Sequence, residues 1–427
     1  MLRLDITGTL AKAITPSYGI PEQEITALRT SLRKYIEDWL RERENGEHDW
    51  AMDPYRKASV ERVEQVAARL KKSGVETVVW IGIGGSGLGP KVLQEVFETP
   101  QTVEFIVLDT IDPAALQTLV AILDWKKTAL IAVSKSGETL ETMSAFFFLW
   151  EEMKRVMKDR AAERVVGITD PKKGALRTFC IDEGIELLTI PPAVGGRFCI
   201  FSPVGLLPLA MLQTDIRAFI RGAKEMDTCC QSTSLEENTA ALLAAVQFLL
   251  DTRKGYPIRV IMPYAERLVS FARWNQQLIA ESLGKKEVKN PVPLAAIGTQ
   301  DQHSLLQQWL AGPRLQWHLF IREEDKPRVY VPTALPGAFS FIAGKTFGQL
   351  VDACEEGTAR ALTSAKRPRA TLTLSRLDPY HLGQLFFLFL AEVVLLGKLY
   401  RIDPYGQPAV EIGKAVTRDI LTHGRAH

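Results

Sequence analysis

Short apolar runs recur along this chain from about residue 55, separated by longer helix-forming segments. Five come first: "TVVWIGI" (77–83), "VEFIVLD" (103–109), "TALIAVS" (128–134), "RVVGITD" (164–170) and "IELLTI" (185–190). An Ala- and Leu-rich helical stretch follows over about 203–250. Four more runs come after it: "IRVIMP" (258–263), "VPLAAIG" (292–298), "LQWHLFI" (315–321) and "ATLTLS" (370–375). Apolar runs alternating with helices are the pattern of βαβ units, whose parallel sheet is covered by helices on both faces. The pattern predicts an α/β protein with two such units. Residues 1–50 read as a charged helical N-terminal segment and 51–210 as the first α/β unit. Residues 211–397 read as connecting helices and the second unit, and 398–427 as a C-terminal segment.

Composition adjusts this picture only at its edges. At 427 residues, two domains with terminal extensions are the natural division. Lys+Arg 52 against Asp+Glu 50 leaves a net charge of +2, so no field for nucleic acid is built in and any basic site is local. The start "MLRLDITGTLAK" shows no signal-peptide core, and "LFFLFLAEVVLLG" (385–397) is too short for a bilayer and contains Glu392, so it reads as a buried helix. The five cysteines, Cys180, Cys199, Cys229, Cys230 and Cys354, show no C-x-x-C pairing and fit reduced thiols in a cytoplasmic protein. His48, His318, His423 and His427 form no metal-ligand spacing, His381 sits among apolar residues, and no metal site is expected.

The chemistry gathers at the ends of the apolar runs. "GIGGSGLGP" follows the first, placing Gly82, Gly84 and Gly87 in the G-x-G-x-x-G pattern of a phosphate turn, with a helix starting near Pro90. The glycines let backbone N–H groups turn toward an anion, and Ser86 adds a hydroxyl donor. The plain structural alternative is a tight turn with a capping serine. Asp109, ending the next run, stands where a ribose-binding carboxylate belongs in a dinucleotide fold. "SKSGETLETM" follows the third run and brings Ser134, Ser136 and Thr139 around Gly137, with Lys135 in the same turn. An ordinary N-capped helix competes there. Two hydroxyl-rich turns on one parallel sheet point at one crevice and suit a phosphomonoester.

Further along, "GGRFCIFSPVG" places Arg197 after two glycines, and "RWNQQLIAESLGKK" is a helix ending near Gly284 with Gln277 and Glu281 on one face. A glutamate beside an amide is a candidate proton-transfer base, and an arginine a candidate stabiliser of developing negative charge. "GTQDQHSLLQQWL" places His303 after a polar turn, and "YGQPAVEIGK" offers Gln407 and Lys414 around a proline-led helix start.

Six motifs in order, "GIGGSGLGP", "SKSGETLET", "GGRFCIFSPVGLLPLA", "QQLIAESLGK", "DQHSLLQ" and "GQPAVEIGK", resemble the phosphoglucose isomerase family in its shorter bacterial form, over about residues 75–415. The resemblance implies two sugar-isomerase α/β domains, a homodimer, no metal or organic cofactor, and interconversion of glucose 6-phosphate and fructose 6-phosphate in glycolysis and gluconeogenesis. Carried over by motif, Ser86, Ser134, Ser136 and Thr139 hold the phosphate, with Gly85 and Lys135 lining the site. Glu281 shuttles the proton between C2 and C1, and Arg197 stabilises the cis-enediolate. His303 and Lys414 assist ring opening, His303 coming from the neighbouring subunit, while Gln277 and Gln407 contact the sugar. Glu138, Gly406 and Ala409 depart from the family pattern; an acid at 138 repels phosphate unless it turns away or pairs, Lys135 being a ready partner.

Two other readings compete. An NAD-dependent dehydrogenase accounts for the glycine fingerprint and Asp109 but leaves "SKSGET" and "QLIAESLGK" unused. A non-catalytic sugar-phosphate sensor would not need Glu281.

Overall fold

The computed structural model describes residues 2–287 and 289–424, so His427 lies outside the described residues. Among the described residues, ten strands make two five-stranded sheets. They are β1 (Arg3–Asp5), β2 (Thr77–Ile81), β3 (Glu104–Leu108), β4 (Thr128–Val133), β5 (Val165–Thr169), β6 (Glu186–Thr189), β7 (Ile258–Pro263), β8 (Val292–Ala295), β9 (Gln316–Glu323) and β10 (Arg369–Leu374). All nine apolar runs became strands. The first sheet is fully parallel, in the order β3-β2-β4-β5-β6. The second runs β1-β10-β9-β7-β8 and is parallel except for β1, which pairs antiparallel with β10. The hydrophobic pattern did not register β1, because it is three residues long and has no buried position. Such a strand is stable only as an added edge on a sheet already formed.

Burial on both faces explains why the runs are apolar throughout rather than alternating. Along β2, Val78 and Trp80 enter the largest core while Val79 and Ile81 enter a second one on the opposite face. Along β7 and β9, Ile261, Trp317, Leu319 and Ile321 enter that same largest core, and Val260, Met262 and Phe320 a third. The two sheets therefore share one core between them.

The apolar stretch at 385–397 belongs to a longer helix, Pro379–Tyr400. Its 22 residues are enough to cross a membrane by length and hydropathy, contrary to the shorter reading from sequence, but 94% of its apolar window is buried inside the protein. Its capping Asp378 binds both the backbone N–H and the ring of His381. Glu392 is answered within the core by Arg259 at 2.7 Å, both fully buried.

Candidate active site

The winding of the first sheet decides where a ligand can sit. The chain leaves β2 for β3 on one side and then crosses to β4 on the other, so a crevice opens at the carboxyl ends of β2 and β4. The two hydroxyl-rich turns emerge from those two strands.

The first turn needs its glycines. Gly84 has φ +58°, and a Cβ there would come within 2.9 Å of the Gln277 amide nitrogen. A Cβ on Gly85 would lie 2.2 Å from the Gly196 carbonyl oxygen and 2.6 Å from the Arg197 nitrogen. The turn is thus packed directly on the two segments that carry Arg197 and Gln277. The helix that follows, Gly85–Phe97, begins earlier than Pro90 and runs through it. Proline cannot donate to the carbonyl of Ser86, and the Trp80 indole N–H takes that role at 2.8 Å. Ser86 lies in the first turn of this helix, whose N-cap, Gly84, makes no side-chain capping bond. The capping-serine alternative therefore fails; the N–H groups of Ser86 and Gly87 donate to the Ile83 and Gly84 carbonyls, which leaves that of Gly85 for an anion among the described backbone bonds.

The second turn is wired internally. The Ser134 and Thr139 hydroxyls lie 2.9 Å apart, Ser134 Oγ also accepts from the Gly137 N–H at 3.1 Å, and Ser136 Oγ accepts from the Glu138 N–H at 3.2 Å. Gly137, with φ +73°, passes so close to Ala175 and Leu176 that a side chain would collide with their backbone. Thr139 is the N-cap of the helix Leu140–Met157 but makes no capping hydrogen bond, so the ordinary capped-helix alternative fails here too. Lys135 does not pair with Glu138. Its ammonium donates to the carbonyls of Pro192 (2.5 Å) and Val194 (2.8 Å), fastening the segment after β6, and burial pulls its pKa below the ordinary lysine value. Glu138 instead faces Arg418 of the helix Pro408–His423 at 3.7 Å.

Arg197 is the hub of the site. It lies in the turn Gly196–Phe201 after β6, is 3% exposed, and uses every donor of its guanidinium. Nε donates to Ser282 Oγ (2.7 Å), Nη1 to Glu281 Oε2 (3.3 Å) and Gln407 Oε1 (2.9 Å), and Nη2 to the carbonyls of Pro404 (2.6 Å) and Gly406 (3.0 Å). Burial draws its pKa down, opposed chiefly by Glu281, and it remains a cation. Beside it, the Cys199 thiol is pushed up to about 12 by burial and donates to the Gly196 carbonyl, so it serves as a neutral spacer.

Glu281 and Gln277 stand one turn apart on the helix Val269–Leu283, which follows β7 and packs against the helix Gly85–Phe97. Glu95 ties those helices at their far ends by accepting from the N–H and hydroxyl of Ser270. Gln277 Nε2 donates to Glu281 Oε1 at 2.8 Å, so each carboxylate oxygen is held by a separate donor while the side chain stays partly open to solvent. The Gln277 Oε1 is buried without a protein partner. A carboxylate fixed this way, with a cation alongside and an unfilled acceptor nearby, can take a proton from a carbon acid and bind a hydroxyl.

Not every sequence-derived candidate joins this group. His303 follows the turn Gln300–Gln302 after β8, exposed, with no side-chain hydrogen bond among the described residues. Lys414 lies on the exposed helix Pro408–His423 and pairs with Glu411 at 2.7 Å. Neither touches Arg197 or Glu281 among the described contacts. Asp109 is engaged by Lys91 at 3.2 Å, which disfavours a ribose role. The one group of described residues with clustered metal-type donors, Glu42, Glu47 and His48, is occupied instead by Lys398 on Glu42 and Tyr405 on His48. Ser282, Lys285 and Tyr405, all bonded into the site, carried no signal in the sequence beyond their nearness to the motifs.

Comparison with known proteins follows the same lines. The family model described as phosphoglucose isomerase matches residues 57–427. A glucose-6-phosphate isomerase of Carboxydothermus hydrogenoformans is 33% identical over 94% of this chain and 89% of its own length. One from Thermus thermophilus is 37% identical over 81% of this chain and 84% of its own. Among solved structures, a hypothetical protein from Thermus thermophilus superposes with a TM-score of 0.90 at 33% identity, covering 99% of this chain and 100% of that one. A glucose-6-phosphate isomerase from Chlamydia trachomatis, at 22% identity and a TM-score of 0.73 over 87% of this chain and 77% of that one, shares the fold.

Proposed function

The chain belongs to the phosphoglucose isomerase family and is an isomerase, and from that premise we propose that it interconverts glucose 6-phosphate and fructose 6-phosphate with Glu281 as the base. The phosphate sits between the two turns at the ends of β2 and β4, received by Gly85, Ser86, Ser134, Ser136 and Thr139. Lys135 supports it from behind by holding the segment after β6. With the sugar ring open, Glu281 takes the proton from C2 of the aldose, and the electron pair of that C–H bond forms the C1–C2 double bond of a cis-enediolate. The C1 carbonyl pair moves onto O1 as the double bond forms. Passage of the hydroxyl proton from O2 to O1 and return of the carbon proton to C1, with the carbonyl re-forming at C2, then give the ketose. Arg197 balances the charge on the enediolate oxygens through Nη1, the nitrogen shared by Glu281 and Gln407, while its other donors hold the protein. Gln277 offers its unfilled oxygen to a sugar hydroxyl. Binding of the distant phosphate supplies the orientation of the reacting carbons.

The observation that carries this reading is the clamp on Glu281, with the Gln277 amide on one oxygen and Arg197 on the other, set against the glycine turn. His303 and Lys414 serve ring opening. The exposed position of His303 supports a homodimer in which it completes the neighbouring subunit's site. The purified protein given fructose 6-phosphate should yield glucose 6-phosphate, detected by a coupled dehydrogenase. Absence of product together with tight binding of a nicotinamide cofactor would favour the dehydrogenase reading instead.

A further inference from the structure

The helix Pro408–His423 buries none of its residues, and among the described residues its one side-chain ion pair with the rest of the protein is the exposed Arg418–Glu138 pair. Its placement therefore depends on the segment before it. That segment presents a row of backbone carbonyls to three cations. Lys286 Nζ donates to the carbonyl of Arg401 at 2.9 Å, and Lys285 Nζ to those of Asp403 (2.6 Å) and Tyr405. Arg197 takes the carbonyls of Pro404 and Gly406. The Tyr405 ring lies 5.1 Å from that of Phe198, next to Arg197, and 5.4 Å from that of His48. Its hydroxyl accepts from the Trp50 indole at 2.9 Å and meets His48 Nδ1. Gly406 turns the chain with φ +67°, and Gln407 then reaches Arg197. Lys285 itself follows directly on the C-cap of the helix bearing Glu281.

We infer that Lys285 and Tyr405 are positioning residues of the isomerisation: together they strap residues 401–407 onto Arg197, so that Gln407 faces the sugar and the C-terminal helix lies over the phosphate turns. The inference rests on the reading of Glu281, Arg197 and Gln407 given above. Lys285 acts through main-chain carbonyls, so arginine, which can reach the same acceptors with a positive charge, replaces it in part. Methionine keeps the apolar stem and removes the donors.

The test compares Lys285→Met and Lys285→Arg with the parent chain. Three quantities are read: steady-state kinetics on fructose 6-phosphate, competitive inhibition by inorganic phosphate, and amide hydrogen exchange. Lys285→Met should lose roughly 10- to 100-fold in kcat/KM, the scale of a reacting group misplaced by about 1 Å. Phosphate inhibition should stay within about twofold of the parent, since the turns at β2 and β4 are untouched, and faster exchange should be confined to residues 401–424. Lys285→Arg should recover most of the activity, and Tyr405→Phe should reproduce the localised exchange to a lesser degree. Unchanged kcat/KM and exchange in Lys285→Met would overturn the inference. So would a loss matched by weaker phosphate inhibition and faster exchange throughout the chain, which marks general destabilisation. A fully active Glu281→Gln would instead defeat the underlying mechanism, whatever Lys285 does.

Discussion

Replacing Arg197 with lysine keeps the charge and removes the fork. Arginine has five N–H donors and lysine three, and Arg197 uses all of its own on Ser282, Glu281, Gln407, Pro404 and Gly406. At least two acceptors therefore go unmet in Arg197→Lys. A hydrogen bond to a charged group contributes about 1.5–3 kcal/mol, which puts the upper limit near 3–6 kcal/mol. Glu281 and Gln407 are partly open to water, which can replace some of that, so a cost of about 2–4 kcal/mol is expected. Against a total stability of about 5–15 kcal/mol the protein still folds, with a lower Tm. Activity should suffer beyond stability, because the proposed mechanism assigns Nη1 to the developing enediolate; losing one such donor costs about 10²- to 10³-fold in kcat. Differential scanning calorimetry and the coupled assay read the two effects separately. An Arg197→Lys protein with the parent's Tm and kcat within about twofold would refute the hub role.

Three further expectations follow from particular contacts. Gly85→Ala places a methyl 2.2 Å from the Gly196 carbonyl oxygen, so inhibition by inorganic phosphate should weaken and kcat/KM should fall. Asp53 has one buried carboxylate oxygen without a partner, and burial raises its pKa to about 7 despite the hydrogen bond from Arg56. The fold binds that proton more tightly than the unfolded chain, so the stability this gives is complete below about pH 4 and is lost as pH rises to about 7. The Tm of Asp53→Asn relative to the parent should accordingly improve between pH 5 and pH 8; a constant difference would be the contrary result. Mixing inactive Glu281→Gln with inactive His303→Ala should restore activity on subunit exchange if the histidine crosses a dimer interface, whereas no recovery would place His303 in its own subunit's site or outside catalysis.

The strands were legible because parallel sheets covered on both faces leave a continuous apolar record, as in β2 and β4, every residue of which except Thr77 is buried. The two glycine turns were legible because a positive φ at Gly84 and Gly137 and close backbone contact at Gly85 demand glycine, which is visible in sequence. The strap over Arg197 was not. Its acceptors are main-chain carbonyls, present at every residue, and nothing in "RIDPYGQ" says which cation will find them. The same limit hid the partner of Glu138: Lys135 is its neighbour in sequence, yet Pro192 and Val194 hold that lysine and Arg418 supplies the ion pair. Length misled once, at the apolar helix. Its polar-containing first turn, "PYHLGQ", continues a helix that the uninterrupted apolar run alone made look short.

The proposed passage of the proton between the two sugar carbons on Glu281 is measured most directly by the turnover of Glu281→Gln on fructose 6-phosphate. Glutamine preserves the shape and a bond to Gln277 or Arg197 but cannot accept the proton. The variant's kcat should be lower by roughly 10²- to 10⁴-fold, with inhibition by inorganic phosphate unchanged. Full turnover in Glu281→Gln would contradict the proposed proton passage.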